Sequence, residues 1–508
     1  MILKINGDIN KYYVQTLCMV FFPGATFGEN EQSGEGIPEV AVDVYRDEEE
    51  TCVTAYASIK LNDKLCEATE SVWLHEEINF ATHEAIAVGR AIFACGKELL
   101  GHTPPWGILT GVRPAKVANS ILRSGKGVLK TKKVLRDEYF LNPQKAALAV
   151  SVANTEYKMK KKMQKNTCSL YISIPFCPSR CAYCSFVSYT TKRLLSMVEE
   201  YLDAMISDLE DTIDTIKRLG LKITTIYIGG GTPTTLSAEQ LKRLLDVINN
   251  NINMEDLLEF TLEAGRPDTI TREKLEAAKA GGVTRVSVNP QTLNDDILRD
   301  IGRKHTVEDF FEAYKMAKEI GFRDINVDLI AGLPGDDFEN FSETVDKIID
   351  LAPTNITVHT FCVKKASDAL RNNSSVYSLS GGDAAKSVSY SQLKTKFAGY
   401  KPYYMYRQKN TVGNLENVGF SIEGHEGIYN VLMMEEVQTI FAVGAGAVSK
   451  LLDYKGLGAK DTRIQRLFNP KYPYEYLKMF EDRKAGIPSG KKSLMEEALE
   501  FFGMNTDK

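Results

Sequence analysis

The 508-residue chain has no apolar run approaching the roughly 20 residues that a membrane-spanning helix requires. No membrane span is expected. It also has little excess charge: 62 Lys and Arg stand against 67 Asp and Glu, a formal net charge of -5. That balance supplies no global field for nucleic acid or an anionic metabolite, so nucleic acid is not an expected partner and any anion site must be a local patch. Its nine cysteines are odd in number and scattered over a long chain, unlike the paired framework of a small secreted domain. A reducing, cytoplasmic setting is expected. The first residues lack a basic leader and a small-residue cleavage site, and the apolar Tyr12-Tyr13-Val14 is interrupted by Gln15 and Thr16. This stretch reads as a strand, not as a signal peptide. No internal repeat and no low-complexity segment is evident.

The length is too great for one ordinary core and predicts two or three domains. Residues 1 to about 80 mix β-favouring runs such as Val40-Ala41-Val42-Asp43-Val44-Tyr45 with turn-rich Gly34-Glu35-Gly36-Ile37-Pro38, and predict a small sheet. Ala85, Val88, Ile92, Cys95 and Leu99 recur at helical spacing, with Gly101 as a stop. Further helices are expected to start at Pro114 and at Asn142-Pro143, where asparagine caps and proline occupies the first helical position. The latter ends in Lys158, Lys160, Lys161, Lys162 and Lys165. This run reads as a solvated helix end favoured by the helix dipole, ahead of an RNA or phosphate contact. A boundary follows near Asn166.

From Cys168 to His359 strand-like and helix-like segments alternate. The strands are expected at Leu170 to Ile174, Thr224 to Ile228, Glu259 to Glu263, Arg285 to Val288, Asp324 to Ile330 and Asn355 to His359. Repeated β-α units predict a parallel sheet, with its active site at the carboxyl ends of the strands. Residues after about 365 are less regular, with helices near Ala384 to Phe397 and Glu496 to Phe502 and a turn at Gly444-Ala445-Gly446.

The segment Tyr171-Ile-Ser-Ile-Pro-Phe-Cys177-Pro-Ser-Arg-Cys181-Ala-Tyr-Cys184 offers three thiolates from one short loop. Three cysteine ligands suit a four-iron cluster with one iron left open for an exchangeable ligand. A zinc centre and three ordinary core cysteines are the alternatives. A closed structural zinc site wants four ligands, and no His or fourth Cys lies close by. Gly229-Gly230-Gly231 follows a predicted strand, and without Cβ atoms it lets the backbone approach a ligand; alone it also fits a tight strand-to-helix turn. Glu263, Gln291 and Asp328 fall at strand ends, where each is costly to bury unpaired. Each one singly also fits a loop or helix cap, but together they describe a ligand site.

The three cysteines, Tyr183 between the second and third, and Gly229-Gly230-Gly231-Thr232-Pro233-Thr234 resemble the radical S-adenosylmethionine superfamily, and the order of motifs resembles its oxygen-independent coproporphyrinogen III oxidase family. The resemblance runs from about Cys168 to Cys362. Pro104-Pro105-Trp106-Gly107-Ile108-Leu109-Thr110-Gly111-Val112-Arg113-Pro114 and Tyr403-Tyr404-Met405-Tyr406-Arg407-Gln408-Lys409-Asn410 resemble its longer, coproporphyrinogen dehydrogenase branch. Two departures stand out. Phe186 occupies the place of a further cysteine in the family's best-studied oxidases, and Val288-Asn289-Pro290-Gln291 replaces a glycine-containing approach to the glutamine.

The resemblance implies an α/β fold: an open parallel (β/α)6 partial TIM barrel over residues 167–365, an α+β N-terminal domain over 1–166, and a mixed C-terminal extension over 366–508 that closes the barrel. It implies a 4Fe-4S cluster on Cys177, Cys181 and Cys184, and one S-adenosylmethionine or two. Glu263, Tyr171 and Gly230 would hold the methionine part of the first. Gly231, Thr232, Gln291, Arg303, Asp328, Tyr183 and the Cys362 backbone would line the adjoining or second site. Arg303, apt for clamping a carboxylate though otherwise an ordinary surface arginine, and Arg407 would meet substrate carboxylates.

The implied reaction is anaerobic oxidative decarboxylation of coproporphyrinogen III to protoporphyrinogen IX, begun by reductive cleavage of S-adenosylmethionine. The implied partners are a tetrapyrrole and a small electron-transfer protein such as flavodoxin or ferredoxin. A related branch with the same barrel traffics haem and typically carries a His-Asn-x-x-Tyr-Trp motif. Here the tryptophans are Trp73 and Trp106 alone, neither in that context. Another radical tetrapyrrole reaction, such as anaerobic haem ring opening, is the third reading.

Overall fold

The computed structural model describes residues 1–28, 34–47, 49, 51–74, 82–184, 188–362, 382–408, 411–453, 462–487 and 492–504. Phe186, Lys409, Asn410 and the expected boundary at 365 lie outside them. The first sheet takes β1 (Ile2–Asn6), β2 (Glu39–Arg46), β3 (Cys52–Leu61) and β4 (Lys64–Trp73) in sequence order. β1 and β2 are parallel and the other pairs antiparallel. Val53, Ala55, Ala57 and Ile59 of β3 are buried at period two, so one face of the sheet is apolar. Helix His83–Leu100 packs against β3 and β4. It begins where Thr82 Oγ1 accepts from the Ala85 N–H and ends at Gly101, whose φ of 62° is left-handed.

Tyr12-Tyr13-Val14 does not form the expected strand; it lies in helix Lys11–Phe21. Asn10 Oδ1 accepts from the backbone N–H groups of Tyr12 and Tyr13, and Val14, Leu17, Cys18 and Phe21 share one buried stripe. The polar Gln15 and Thr16 that seemed to interrupt a strand fall off that stripe. Helices Pro114–Arg123 and Pro143–Lys162 start at the two prolines, the second capped by Asn142.

The second sheet is built around β5 (Thr167–Ile174), β6 (Lys222–Gly230), β7 (Glu259–Leu262), β8 (Arg285–Ser287), β9 (Asp324–Ala331) and β10 (Asn355–Thr360). Each is parallel to the next. Consecutive parallel neighbours joined by helices form the expected open (β/α)6 barrel, and the strands are buried almost end to end because helices cover the outer face. The C-terminal strands are β11 (Lys401–Arg407), β12 (Glu416–Ser421), β13 (Thr439–Val443), β14 (Val448–Asp453) and β15 (Arg463–Phe468). They flank both edges, giving the order β11-β12-β10-β9-β8-β7-β6-β5-β13-β14-β15 among the described residues. β13 runs parallel to β5, whereas β12 is antiparallel to β10.

Helix Pro143–Lys162 lies against β11, and its lysines form two buried ion pairs beside that contact, one to β12 and one to the end of helix Ile428–Glu435. Lys145 pairs with Glu416, whose side chain is 0% exposed and also accepts from Trp106 Nε1 at 2.8 Å and Gln392 Nε2 at 2.6 Å. Burial acts to raise the Glu416 pKa, but the charge of Lys145 and the bonds from Lys145, Trp106 and Gln392 together outweigh it and hold the carboxyl below its ordinary range. Lys160, expected among solvated lysines, is instead buried and paired with Glu435; Lys158, Lys161, Lys162 and Lys165 are exposed.

Removing one member of a buried pair strands the other charge. Glu416→Ala is therefore expected to destabilise the protein by about 3–5 kcal/mol, read as a lowered urea midpoint. An unchanged midpoint would show that water reaches Lys145.

Candidate active site

Beyond β5 the chain passes Pro175, with Phe176 O accepting from the Thr232 N–H at 2.8 Å, and forms the cysteine loop. The Cys177 N–H donates to Tyr189 O at 3.1 Å and the Tyr189 N–H to Pro175 O at 2.8 Å, closing the loop's base. The Cys184 N–H donates to Cys181 O at 3.1 Å, a tight turn that holds the last two cysteines near one another. The loop is tied to the segment after helix Asp295–Asp300 by the Ala182 N–H donating to Ile301 O at 3.0 Å and Ser179 Oγ to Gly302 O at 3.0 Å.

Each glycine at the end of β6, Gly229 and Gly230 within it and Gly231 just beyond, is required for a different reason. A Cβ on Gly229 would lie 2.8 Å from Glu263 Oε2. Gly230 has φ of 108°, a conformation that side chains rarely adopt. A Cβ on Gly231 would sit 2.6 Å from Phe176 O and 3.0 Å from Cys177 Sγ. The neighbouring Thr232 Oγ1 is 3.2 Å from Cys177 Sγ. Gly231→Ala is therefore expected to displace the first cysteine and lower iron content of reconstituted protein severalfold, measured against folded protein by circular dichroism. Wild-type iron content in that variant would show that the loop gives way freely.

All three cysteines line one cavity of about 270 Å3 at the carboxyl ends of the strands, together with Tyr183, Gly230, Gly231, Thr232, Glu263, Gln291, Arg303, Asp328 and Cys362. Tyr171 is set back: its ring stacks on Tyr227, which does line the cavity, with centroids 6.1 Å apart. Arg407 is not at the cavity. Its guanidinium is buried over the Trp106 ring at 5.5 Å and donates to Leu109 O, so it cannot meet a ligand there. Burial lowers its pKa to about 10. Arg303 is no free surface group: Nε and Nη2 donate to Tyr183 Oη at 3.0 and 2.7 Å, and Nη1 to Gly265 O at 2.9 Å.

The cavity separates the carboxyls of Glu263 and Asp328 chemically. Burial, and after it the negative charge of Asp328, raises the Glu263 pKa to about 7. Burial also disfavours the Asp328 carboxylate, but the bonds to its oxygens outweigh it and hold its pKa below the ordinary value. Those oxygens accept from Asn326 Nδ2 at 2.7 Å and Asn289 Nδ2 at 2.9 Å, with His359 Nε2 at 3.6 Å. Burial works against a charged His359 too, yet Asp328 raises its pKa above the ordinary value. The His359 Nδ1 lies 3.3 Å from Tyr406 Oη. Gln291 adopts φ of 73°, its N–H donating to Asp328 O at 3.1 Å; this left-handed backbone is unfavourable for a residue with a side chain.

Sequence reasoning missed four contributors. His359 was placed only as a strand end. Tyr404 and Tyr406 arrive from β11, after the expected barrel, and their rings line the cavity. Arg266, 4% exposed, reaches the cysteine loop from the turn after β7. The run Glu263-Ala264-Gly265-Arg266-Pro267-Asp268, a strand end followed by a proline turn, is the one local signal that pointed there.

Three thiols on one cavity wall, with two polar strand ends opposite, fit a cluster in which each cysteine binds a different iron. Among the described residues, no three His, Cys, Asp or Glu side chains are gathered to hold a single metal ion. Three cysteine donors are one short of a closed zinc site and suit the cluster. The family model of the radical SAM superfamily matches residues 171–348, so the barrel and its loop define a radical S-adenosylmethionine protein.

Similarity extends well beyond that core. The chain is 39% identical over 386 residues to the oxygen-independent coproporphyrinogen-III oxidase-like protein HemZ of Bacillus subtilis, covering 75% of this chain and 76% of HemZ. It is 31% identical over 340 residues to the heme chaperone HemW of Lactococcus lactis, covering 66% of this chain and 81% of that one. The Bacillus subtilis HemW is 42% identical over 197 residues, but the match spans 39% of this chain and 51% of HemW. The structure of coproporphyrinogen III oxidase (HemN) from Escherichia coli aligns with a TM-score of 0.49 at 23% identity, over 65% of this chain and 72% of HemN. The chain belongs to the oxygen-independent coproporphyrinogen-III oxidase-like family of radical S-adenosylmethionine proteins. Its cofactors are a 4Fe-4S cluster and S-adenosylmethionine. No helix among the described residues is long and apolar enough to cross a membrane.

Proposed function

We propose that this protein carries out anaerobic oxidative decarboxylation of coproporphyrinogen III to protoporphyrinogen IX. The observation that supports it most is that the cysteine loop and a wall of tyrosines (Tyr227, Tyr404 and Tyr406) line one cavity, so the pyrrole rings of a tetrapyrrole and the radical source can share a single site. When bound, the reduced cluster and S-adenosylmethionine supply a 5′-deoxyadenosyl radical. A propionate side chain gives up one hydrogen atom to that radical, its carboxylate leaves as carbon dioxide, and one electron passes to an acceptor, leaving a vinyl group.

In this reading Glu263 and Gly230 hold the methionine part of the first S-adenosylmethionine, with Tyr171 supporting the wall from behind Tyr227. Gly231, Thr232, Gln291, Asp328, Tyr183 and the Cys362 backbone line the adjoining site, for substrate or a second S-adenosylmethionine. Three of the five N–H groups of Arg303 are used by Tyr183 and Gly265; those bonds aim the guanidinium, and the remaining donors are offered to a carboxylate. The division into residues 1–166, 167–365 and 366–508 goes with this assignment, the first part bracing the last through Lys145 and Glu416, and the last supplying Tyr404 and Tyr406. A flavodoxin- or ferredoxin-like donor would reduce the cluster.

Haem trafficking, the role printed in the names of the HemW relatives, is the second reading. Against it, His359, the histidine on the described cavity wall, is engaged through both ring nitrogens, by Asp328 and Tyr406.

The test is anaerobic turnover of reconstituted protein with S-adenosylmethionine, reductant and coproporphyrinogen III, with 5′-deoxyadenosine and porphyrins followed by mass spectrometry. Substrate-dependent 5′-deoxyadenosine with stepwise loss of carbon dioxide is expected. Haem binding without porphyrin turnover would replace this reading with trafficking, and a methylated linear tetrapyrrole formed from haem would replace it with ring opening.

A further inference from the structure

The guanidinium of Arg266 has five N–H donors in a fixed fork, and all five are assigned. Nε donates to Asp268 Oδ1 at 3.1 Å, and Nη2 to Asp268 Oδ2 at 3.1 Å and Ser179 Oγ at 2.9 Å. Nη1 donates to Ser179 O at 2.9 Å, and its other N–H is aimed at Cys181 Sγ, 3.7 Å away. Four bonds to oxygen thus fix the plane of the group, and that plane leaves the fifth donor on the sulfur. Arg266 and Cys181 are both buried, and the contact between them is built across 85 residues of sequence. Ser179 Oγ accepts from Arg266 while its own hydroxyl donates to Gly302 O, so the cysteine loop is gripped from two sides.

We propose that Arg266 is a positioning residue for the cluster: its N–H donates to the Cys181 thiolate and raises the potential at which the cluster accepts its electron. Hydrogen bonds to ligand sulfurs and nearby charge are among the factors that set iron–sulfur potentials. One-electron reduction adds negative charge to the cluster and its thiolates, so a donor fixed on one of them stabilises the reduced state more than the oxidised one. Asp268 offsets the net charge of the guanidinium, which leaves the aimed N–H as the larger influence. No bond is made or broken in this step; the electron comes from a one-electron reductant, dithionite in the test below. The inference depends on the cluster and not on the tetrapyrrole, so it stands or falls apart from the proposed decarboxylation.

The measurement is the midpoint potential of the reconstituted cluster, followed by electron paramagnetic resonance during dithionite titration without tetrapyrrole. Wild type, Arg266→Gln and Arg266→Lys are compared at matched iron and sulfide content. Both variants are expected to reduce less readily by at least about tenfold in the equilibrium, about 59 mV more negative for a one-electron couple. Lysine keeps the charge but cannot aim the fork. Potentials equal to wild type would overturn the proposal. Should neither variant retain a cluster, wild-type protein labelled with guanidinium-15N arginine decides the matter. A nitrogen coupling to the reduced cluster that persists in Arg303→Lys supports the contact, and its absence overturns it.

Discussion

Alanine at Cys177, Cys181 or Cys184 is expected to abolish cluster loading and, with it, reductive cleavage of S-adenosylmethionine. A three-cysteine site has no spare ligand: Cys168 is fully buried within β5, and Cys362 stands at the far end of β10 on another part of the wall. Loss of an outer-shell partner typically lowers metal affinity by about 10–100-fold, and loss of a direct ligand should exceed that. Burial pushes the Cys177 thiol up to about 11, so without iron it is protonated near neutrality and loading must release a proton. Iron and sulfide content, visible absorbance and 5′-deoxyadenosine formation check the prediction. Retention of wild-type iron by any one variant would remove that cysteine from the ligand set.

The barrel was legible because its physics is local. Parallel strands covered on both faces become short unbroken apolar runs, and the helices between them carry their own punctuation. Helix Val307–Ile320 starts at the Thr306–Asp309 capping box and stops at Gly321 with φ of 80°, so both its ends carry a local signal. Helices Arg272–Ala280 and Asp295–Asp300 were not read: the first buries only Leu275 and Ala278, the second is a six-residue turn burying Ile297 and Leu298. Too few apolar positions repeat in either to establish a period.

The same distinction runs through the site. Glu263, Gln291 and Asp328 could be placed because each lies at or just beyond a recognisable strand, and the carboxyl ends of parallel strands converge. Arg266, His359 and Lys160 acquire their roles from partners 85, 31 and 275 residues away in the chain. Arg407 shows the converse. It sits in a motif that resembles the family's longer branch and was expected to meet substrate carboxylates, yet it ends β11 facing Trp106 and the N-terminal segment, and its backbone N–H donates to Val112 O at 2.7 Å. Which face of β11 meets the cavity depends on register, and Tyr404 and Tyr406 hold that face.

Glu263→Gln is expected to make the ligand-free protein more stable at pH 8 while removing most of its affinity for S-adenosylmethionine. The sign follows from the raised pKa. The folded protein holds the Glu263 proton up to about pH 7, against an ordinary value of 4.5, so between these values folding takes up a proton and stability falls as pH rises. Above pH 7 the wild type carries an ionised carboxylate facing Asp328, at an expense on the order of 1–3 kcal/mol once cavity water is allowed for. Glutamine has no such slope, so the two proteins should unfold alike near pH 4.5 and diverge in favour of the variant by pH 8. Ligand binding should run the other way. A carboxylate pairs with the cofactor's ammonium through a charge-assisted bond of about 1.5–3 kcal/mol, so wild-type affinity should rise with pH through about 7 and the variant should lose about tenfold or more together with that dependence. Urea unfolding and anaerobic calorimetry, each at pH 5 and 8, separate the two effects. A variant less stable than wild type at pH 8 would mean that Glu263 is held by structural bonds, and unchanged affinity would place the cofactor's methionine end elsewhere on the wall.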